Sequence, residues 1–513
     1  MWQRLSLYDL RVVGHYLGVL ILLVTFALVP PLVVALVYHE WEPATRYLFS
    51  IGINLIVGGG LMFLRLQPGR LSRHQAIVVT GLAWMVLALL GAIPLSMSGH
   101  YLSFLDALFE SVSGFTTTGA SVVVDLDHLS YADNMWRFMM HLIGGLGLVV
   151  VGLSFGLFGK GGATLYRSEG RSEHVVPNVV QTTQFIGRIT LTTIALSTVL
   201  LMILCTVIGI KPDRAFLQSL WVSISAFMTA GFVPMSENIT YYHSTIMEVV
   251  LMVVMLMGTV SFTLHSKILR GRVSMFFEDT EVRFATAWLV IFVIVLTASA
   301  SANSSFSALP ALLRRGLFMV ISAFSTTGFQ NITTTQLTDA FSSGAFLILA
   351  MLMAVGGCTG STAGGIKIGR MSTLVKSIVA TIKETISPDS ARVVVAYNHC
   401  GRRVVTPSLV REATTVLLLY GFTYVIGSLM GIAAGYDASK AVFESVAMAS
   451  NGGITSGIVV PGMSPSLEVF YLFEMWAGRL EFVTFITLII QIVVSIPPKR
   501  FMEWVASKRR WDS

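Results

Sequence analysis

Residues Asp106–Ala120 read DALFESVSGFTTTGA, an apolar helical turn that runs into three threonines and a glycine. About 20 mostly apolar residues are needed to cross a membrane, so this stretch is too short, yet long apolar runs flank it. The pattern returns three times without a gap. Ala107–Ala120 is ALFESVSGFTTTGA, Ser219–Phe232 is SLWVSISAFMTAGF, Gly316–Phe329 is GLFMVISAFSTTGF and Ala441–Ile454 is AVFESVAMASNGGI. The third position is aromatic in each copy (Phe109, Trp221, Phe318, Phe443). The seventh is small (Ser113, Ser225, Ser322, Ala447), and the copies align on Gly119, Gly231, Gly328 and Gly453. Copies about a hundred residues apart are too widely spaced for a solenoid. They predict four related units around one axis.

The composition sets the solvent. Of 513 residues, 54% are hydrophobic and 12% charged, about half the charged share of a soluble domain. This predicts an all-α integral membrane protein with no soluble domain. The formal charge of +7 suits basic cytoplasmic loops and gives no reason to expect nucleic acid as a partner. Cys205, Cys358 and Cys400 have no paired spacing, so neither a disulfide framework nor a zinc site is expected. The first apolar run is long and lacks a small-residue cleavage site, which argues against a removed signal peptide.

Ten spans are expected: His15–Tyr38, Tyr47–Leu64, Gln75–Met97, Met135–Phe158, Gly187–Ile210, Ile246–Leu269, Ala285–Ala302, Phe346–Ile382 with an interruption, Ala413–Gly435 and Leu467–Ile496. The four repeated stretches lie between the third and fourth, fifth and sixth, seventh and eighth, and ninth and tenth. Each unit is then helix, re-entrant half-helix with loop, helix. The expected divisions are 1–74 for two extra N-terminal helices, 75–172, 173–272 and 273–403 for pore repeats 1 to 3, and 404–513 for repeat 4 with the C-terminus. The second helix of repeat 3 is the interrupted one. Arg and Lys cluster at Arg65–Arg73, Lys160–Arg188, Lys267–Arg283, Arg370–Arg411 and Lys499–Arg510, with Arg4 and Arg11 at the start. All fall on one side of this topology, so the positive-inside rule puts both termini in the cytoplasm.

Non-helical backbone at membrane depth is tolerated where it is buried in protein or lines a wet cavity. The C-terminal end of each half-helix carries partial negative charge, and four such ends converging favour a cation. Rings of backbone carbonyls can replace an ion's hydration shell. The expected ion-binding residues, mainly through their carbonyls, are Thr116, Thr117, Thr118 and Gly119; Met228, Thr229, Ala230 and Gly231; Ser325, Thr326, Thr327 and Gly328; and Ser450, Asn451, Gly452 and Gly453. The plainer reading, a polar helix cap, suits one such stretch better than four in register.

The interrupted span carries Gly356, Gly357, Gly360, Gly364 and Gly365, with Cys358, Thr359, Ser361, Thr362 and Ala363 among them. Each interior glycine costs a helix about 1 kcal/mol relative to alanine, so five should unwind it. A kinked, closely packed helix is the plainer outcome. A loop that closes the pore below the filter is the functional one. Lys367 follows at once and would repel a passing cation. Arg479 lies within the last span, where a charge is costly unless paired or wet. It can snorkel, pair with Glu474 or Glu481, or face the pore and contact the glycine loop; the last is the expectation. Glu110 and Glu444, equivalent on two half-helices, either bond nearby backbone or attract cations at the outer mouth. Asp125 and Asp127 read as solvated loop charges.

These stretches together resemble the Trk/Ktr/HKT superfamily of potassium uptake proteins, most closely its bacterial TrkH/TrkG branch. ESVSGFTTTGA at Glu110–Ala120 is similar to that family's first pore loop. HLIGGLGLVVVG at His141–Gly152, GTVSFTLHSKILRGR at Gly258–Arg272, GGCTGSTAGGIKIGR at Gly356–Arg370 and GRLEFVT at Gly478–Thr484 resemble further signatures. Met228, and the tail SNGGI at Ser450–Ile454, depart from the usual pattern. The resemblance implies a homodimer in the bacterial inner membrane, one pore per subunit, and a cytoplasmic TrkA-like nucleotide-binding ring as partner. The permeant ion is then K+, with no covalently bound cofactor. ATP, ADP or NAD would act only through the partner. Plant relatives with serine at the first filter glycine tend to select sodium, so Gly119 points to potassium.

Rival classes fit less well. GGLG at Gly144–Gly147 follows no strand, and GKGG at Gly159–Gly162 lacks the Ser or Thr of a P-loop. His141 and His265, near span ends, read as packing residues rather than haem ligands. No clustered His, Cys or carboxylate set suggests an enzyme. Secondary transporters commonly have inverted repeats, whereas these units share one orientation. Within the family, a channel and a cation symporter (K+ with H+ or Na+), or a Na+-permeable member, remain alternatives.

Overall fold

The computed structural model describes residues 5–64, 71–154, 165, 179–301, 309–333, 336, 343–388, 393–480 and 482–495. Among the described residues its regular secondary structure is helical, apart from a hairpin that pairs Ala396–Asn398 antiparallel with Arg402–Val404. A helix–short helix–broken helix sequence recurs four times. Long helices at Arg73–Ser96, Val179–Val207, Thr280–Ser301 and Pro407–Ala433 each precede a short one, at Phe104–Thr116, Pro212–Phe227, Leu309–Phe324 and Ala438–Ala449. The short helices have 12 to 16 residues. At 1.5 Å per residue they span about 18–24 Å, less than the hydrocarbon core.

Local chemistry starts these helices. Ser103 and Asp106 form a capping box at the first short helix, satisfying backbone donors that would otherwise be orphaned in an apolar setting. Asp437 caps the fourth, and Pro212 opens the second, where a missing N–H costs nothing. The repeated aromatics form the packing shell: Phe109, Trp221, Phe318 and Phe443 are all at most 1% exposed.

The inner helix that follows each short helix is broken in all four units, not only in the third. Tyr131–Leu146 stops at Gly147, whose φ is +89°. Thr245–Thr259 and Phe262–Leu269 meet at 104°, and Pro465–Leu480 and Phe482–Ser495 at 113°. Ser343–Ala354 gives way to the glycine loop before Ile368–Ile386. This corrects the expectation of continuous spans at Met135–Phe158, Ile246–Leu269 and Leu467–Ile496. Among the described residues, five helices are long and apolar enough to cross a membrane, or seven if each bent pair counts as one. The remainder of the expected ten are Trp41–Met62, which buries Arg46, and the broken inner helices of the first and third units.

Arg46 explains how the N-terminal helices dock. Its guanidinium pairs with Asp133 at the start of the first inner helix (3.0 Å), and Tyr47 donates to the same carboxylate (2.8 Å). Glu40 accepts the N–H groups of Tyr131 and Ala132, so the anionic side chain sits at a helix N-terminus, where the dipole favours it.

Candidate functional site

All four short helices end in the same way. Thr117, Thr229, Thr326 and Asn451 take left-handed φ values of 51–55°. Their N–H groups reach back three residues, to the carbonyls of Gly114, Ala226, Ala323 and Met448. The next residues, Thr118, Ala230, Thr327 and Gly452, reach back five, to Ser113, Ser225, Ser322 and Ala447. This is the Schellman C-cap, which usually places glycine at the left-handed position. Threonine is β-branched and rarely adopts φ > 0, so three such threonines hold strain of order 1–3 kcal/mol each. The recurrent small seventh residue of the repeat is the one whose carbonyl accepts the five-back bond.

Two residues on, φ is positive again at Gly119 (+84°), Gly231 (+95°), Gly328 (+93°) and Gly453 (+60°). The residue between does not share that sign. Alternation turns successive carbonyls toward one side of the chain, which uniform backbone does not do. The four tails touch in order. A Cβ on Gly119 would overlap Ala230 O, one on Gly231 would overlap Thr327 O, one on Gly328 would lie 2.8 Å from Gly452 O, and one on Gly453 would overlap Thr118 O. First meets second, second meets third, third meets fourth and fourth meets first: the tails close a ring. Asn451 Nδ2 donates to Thr118 Oγ1 (3.0 Å) across the last joint. Met228, the departure in the second tail, buries its side chain against Gly145.

A second set of glycines, which sequence analysis quoted within motifs without assigning them this packing role, brings the inner helices onto the ring. A Cβ on Gly144 would overlap Phe115 O, one on Gly258 Phe227 O and one on Gly478 Ala449 O. Gly356 abuts Thr326 Cγ2 and Gly364 O instead. The breaks in the inner helices follow within a few residues. The visible signal was the run of glycine motifs GGLG, GTVS, GGCTG and GRLE at these positions.

The glycine loop lies against this ring. Thr362 Oγ1 donates to Phe227 O (3.1 Å) and Gly258 O (2.9 Å) and meets Thr229 Oγ1 at 3.1 Å. Gly364 N–H donates to Thr326 Oγ1. Lys367 Nζ reaches the carbonyl of Ala363 in the loop itself. Arg479 donates to Thr362 O (3.2 Å) and to Gly144 O, with its guanidinium 5.6 Å from the Trp84 ring centre. Glu474, a sequence-level candidate partner, accepts from Ser445 Oγ (2.7 Å). Glu481 lies outside the described residues.

Glu110 and Glu444 both bond neighbouring backbone: Val122 N–H and Ser456 N–H donate to them, at 3.0 and 2.7 Å. Sequence reasoning missed the partner of Glu110. Arg137, fully buried, donates to it through Nε (2.8 Å), donates to Val233 O and stacks on Phe232 (4.2 Å). His141 sits between Gly114 O and Phe232 N–H, and His265 bonds Ser261 O; both are packing residues. Asp125 is an exposed loop charge beside His128, while Asp127 accepts Ser236 N–H (3.0 Å) and joins two loops.

Two cavities flank the assembly. One, of about 240 Å³, is lined by all four ring glycines, Gly119, Gly231, Gly328 and Gly453. The other, of about 540 Å³, is lined by Thr359–Ser361, Ala363–Gly365, Lys367 and Arg479. No described residue lines both.

A family profile described as "TrkH: Cation transport protein" matches residues 45–499. The chain belongs to the TrkH family of cation transport proteins. That family consists of transporters, not enzymes. Among its relatives are an uncharacterised cation transporter of Methanocaldococcus jannaschii, 30% identical over 94% of this chain and 96% of that one, and the Trk system potassium uptake protein TrkH of Halomonas elongata, 30% identical over 94% and 98%. The crystal structure of the potassium transporter TrkH from Vibrio parahaemolyticus has the same fold, with a TM-score of 0.80 at 23% identity, covering 96% of this TrkH-family chain and 99% of that one.

Proposed function

We propose that this chain takes up potassium across a bacterial inner membrane, through a filter made by its four repeated tails and closed by the Gly356–Gly365 loop. The observation that carries this reading is the ring in which Gly119, Gly231, Gly328 and Gly453 each crowd the next tail. Relatives named as potassium uptake proteins support the choice of ion. The filter residues are Thr116–Gly119, Met228–Gly231, Ser325–Gly328 and Ser450–Gly453. An entering cation sheds water against their carbonyls. An inside-negative potential contributes about 2.3 kcal/mol per charge per 100 mV to its entry. The loop, Lys367 and Arg479 then form the barrier. The bonds from Thr362 and Gly364 to the tails support that assignment.

The repeat divisions are 75–172, 173–272, 273–403 and 404–513, with both termini in the cytoplasm. The chain works as a homodimer with a TrkA-like ring, on which nucleotide acts. Lys376–Arg411 would form part of the docking face. Lys160–Arg171 would form the rest of that face; of it only residue 165 is among the described residues, and Arg4 and Lys499–Arg510 lie outside them.

The test is rubidium or thallium uptake with sodium as competitor, in wild type and Gly119→Ser. Preference for potassium-like ions, weakened by the serine, is expected. A wild type without that preference overturns the reading. Uptake that collapses with the proton or sodium gradient would make the chain a symporter.

A further inference from the structure

Away from the ring, the glycine loop is held by a second contact that reaches it from the hairpin. His399, in the hairpin turn, is 3% exposed. Its Nδ1 lies 3.0 Å from Asp279 Oδ2 and 3.9 Å from Glu281 Oε1. Next to it, Asn398 N–H donates to Thr280 Oγ1 (2.9 Å). The turn is therefore seated on the first residues of helix Thr280–Ser301. Asp279 accepts the N–H groups of Glu281 and Val282 through its other oxygen. Glu281 is buried too, and its Oε2 accepts the N–H of Thr359, within the loop, at 2.9 Å. Gly369 makes room for this: a Cβ there would press on the Glu281 carboxylate and come within 2.7 Å of Thr359 Oγ1.

We propose that Glu281 is a positioning residue for the loop, a clasp with Thr359 on one side and the His399 turn on the other. The proposal rests on the reading of Gly356–Gly365 as the gate. A carboxylate buried at this depth is stable only when donors or a cation satisfy it. Thr359 N–H supplies a donor, and the His399 turn closes the other side of the carboxylate. Lifting the hairpin opens that side and loosens the hold on Thr359. The loop can then leave the ring without any change in the ring itself.

His399 faces both Asp279 and Glu281. Lys367, Arg370, Arg403 and Glu412 line the same cavity as Glu281 and His399. The difference between wild type and His399→Gln isolates the share of the imidazole.

The test is partner-free rubidium flux through the full-length protein in liposomes. Deletion of Thr359–Ala363 is the reference for an open loop. Glu281→Ala and Gly369→Ala are each expected to raise basal flux about tenfold, within the usual range of site-to-site coupling, and the double variant no further. Glu281→Gln keeps an acceptor oxygen for Thr359 and is expected to restore most of the closure. His399→Gln, which loses the contact with Asp279, should raise basal flux in the same direction as Glu281→Ala. If the deletion opens the pore while Gly369→Ala and Glu281→Ala leave flux unchanged, the clasp is wrong and the gate stands. If the deletion itself leaves flux unchanged, the gate reading fails and the clasp with it. Should Glu281→Ala not fold, Gly369→Ala and His399→Gln decide, since both keep Glu281.

Discussion

Thr326 Oγ1 accepts the backbone N–H of Gly364 at 2.7 Å. The left-handed residue of the third tail is thereby bonded to the glycine loop, and Thr229 of the second tail meets Thr362 of the same loop at 3.1 Å. Tails and loop are one hydrogen-bonded unit, so a change in either is felt by the other.

Thr326→Val keeps the shape and removes the acceptor. A buried donor left unpaired costs about 1–3 kcal/mol, here borne by the arrangement in which the loop lies on the ring. Basal rubidium flux should rise about tenfold or more, read in liposomes without a partner. Unchanged flux would mean that the bond does not hold the loop.

Gly231→Ala puts a methyl on a φ of +95° and onto Thr327 O. Uptake in a potassium-uptake-deficient strain should be abolished, with strain of about 1–3 kcal/mol. Growth at wild-type rate on low potassium would contradict the ring contact.

Gly144→Ala and Gly478→Ala push the inner helices off Phe115 O and Ala449 O. Overpacking of this kind costs about 1–3 kcal/mol, so detergent-solubilised protein should melt several degrees lower. Gly59→Ala, which meets nothing within 4 Å, is the control and should not shift the midpoint.

Glu110→Gln leaves the fully buried Arg137 without its anion. Breaking a buried pair from one side costs about 3–5 kcal/mol. The paired change Glu110→Leu with Arg137→Met should cost much less than Glu110→Gln. Equal losses, measured by thermal unfolding, would show that the pair does more than neutralise itself.

Arg479→Ala removes the donor to Thr362 O and Gly144 O. Basal flux should rise by about the same factor as in Thr326→Val, because both free the loop. A fall in flux from well-folded protein would assign Arg479 to the ring's support instead.

The repeated tails were legible because a Schellman end makes local demands. A small residue, a short polar residue and a glycine recur at fixed spacing, as Ser113, Thr117 and Gly119 do. The unwinding at Gly356–Gly365 was legible for a similar reason, since the cost of interior glycines is carried by the helix itself. The breaks at Gly147 and Val260 were not, because each interrupts a run that remains apolar, and the one after Leu480 was not, because a single charged pair beside Gly478 does not by itself unwind a helix. Each of these breaks follows a neighbour's carbonyl packed against Gly144, Gly258 or Gly478, and that neighbour is the last turn of a short helix.

The amino-acid order by itself determined the membrane setting and the four short helices with their repeated polar ends, because those follow from hydropathy and from interactions within a few residues. Only the tertiary structure decided that the four tails close on one another, that Arg137 is the counterion of Glu110, and that His399 reaches Thr359 through Glu281. Those contacts join groups tens to hundreds of residues apart. Their geometry exists only once the ring has closed and water has been excluded around it.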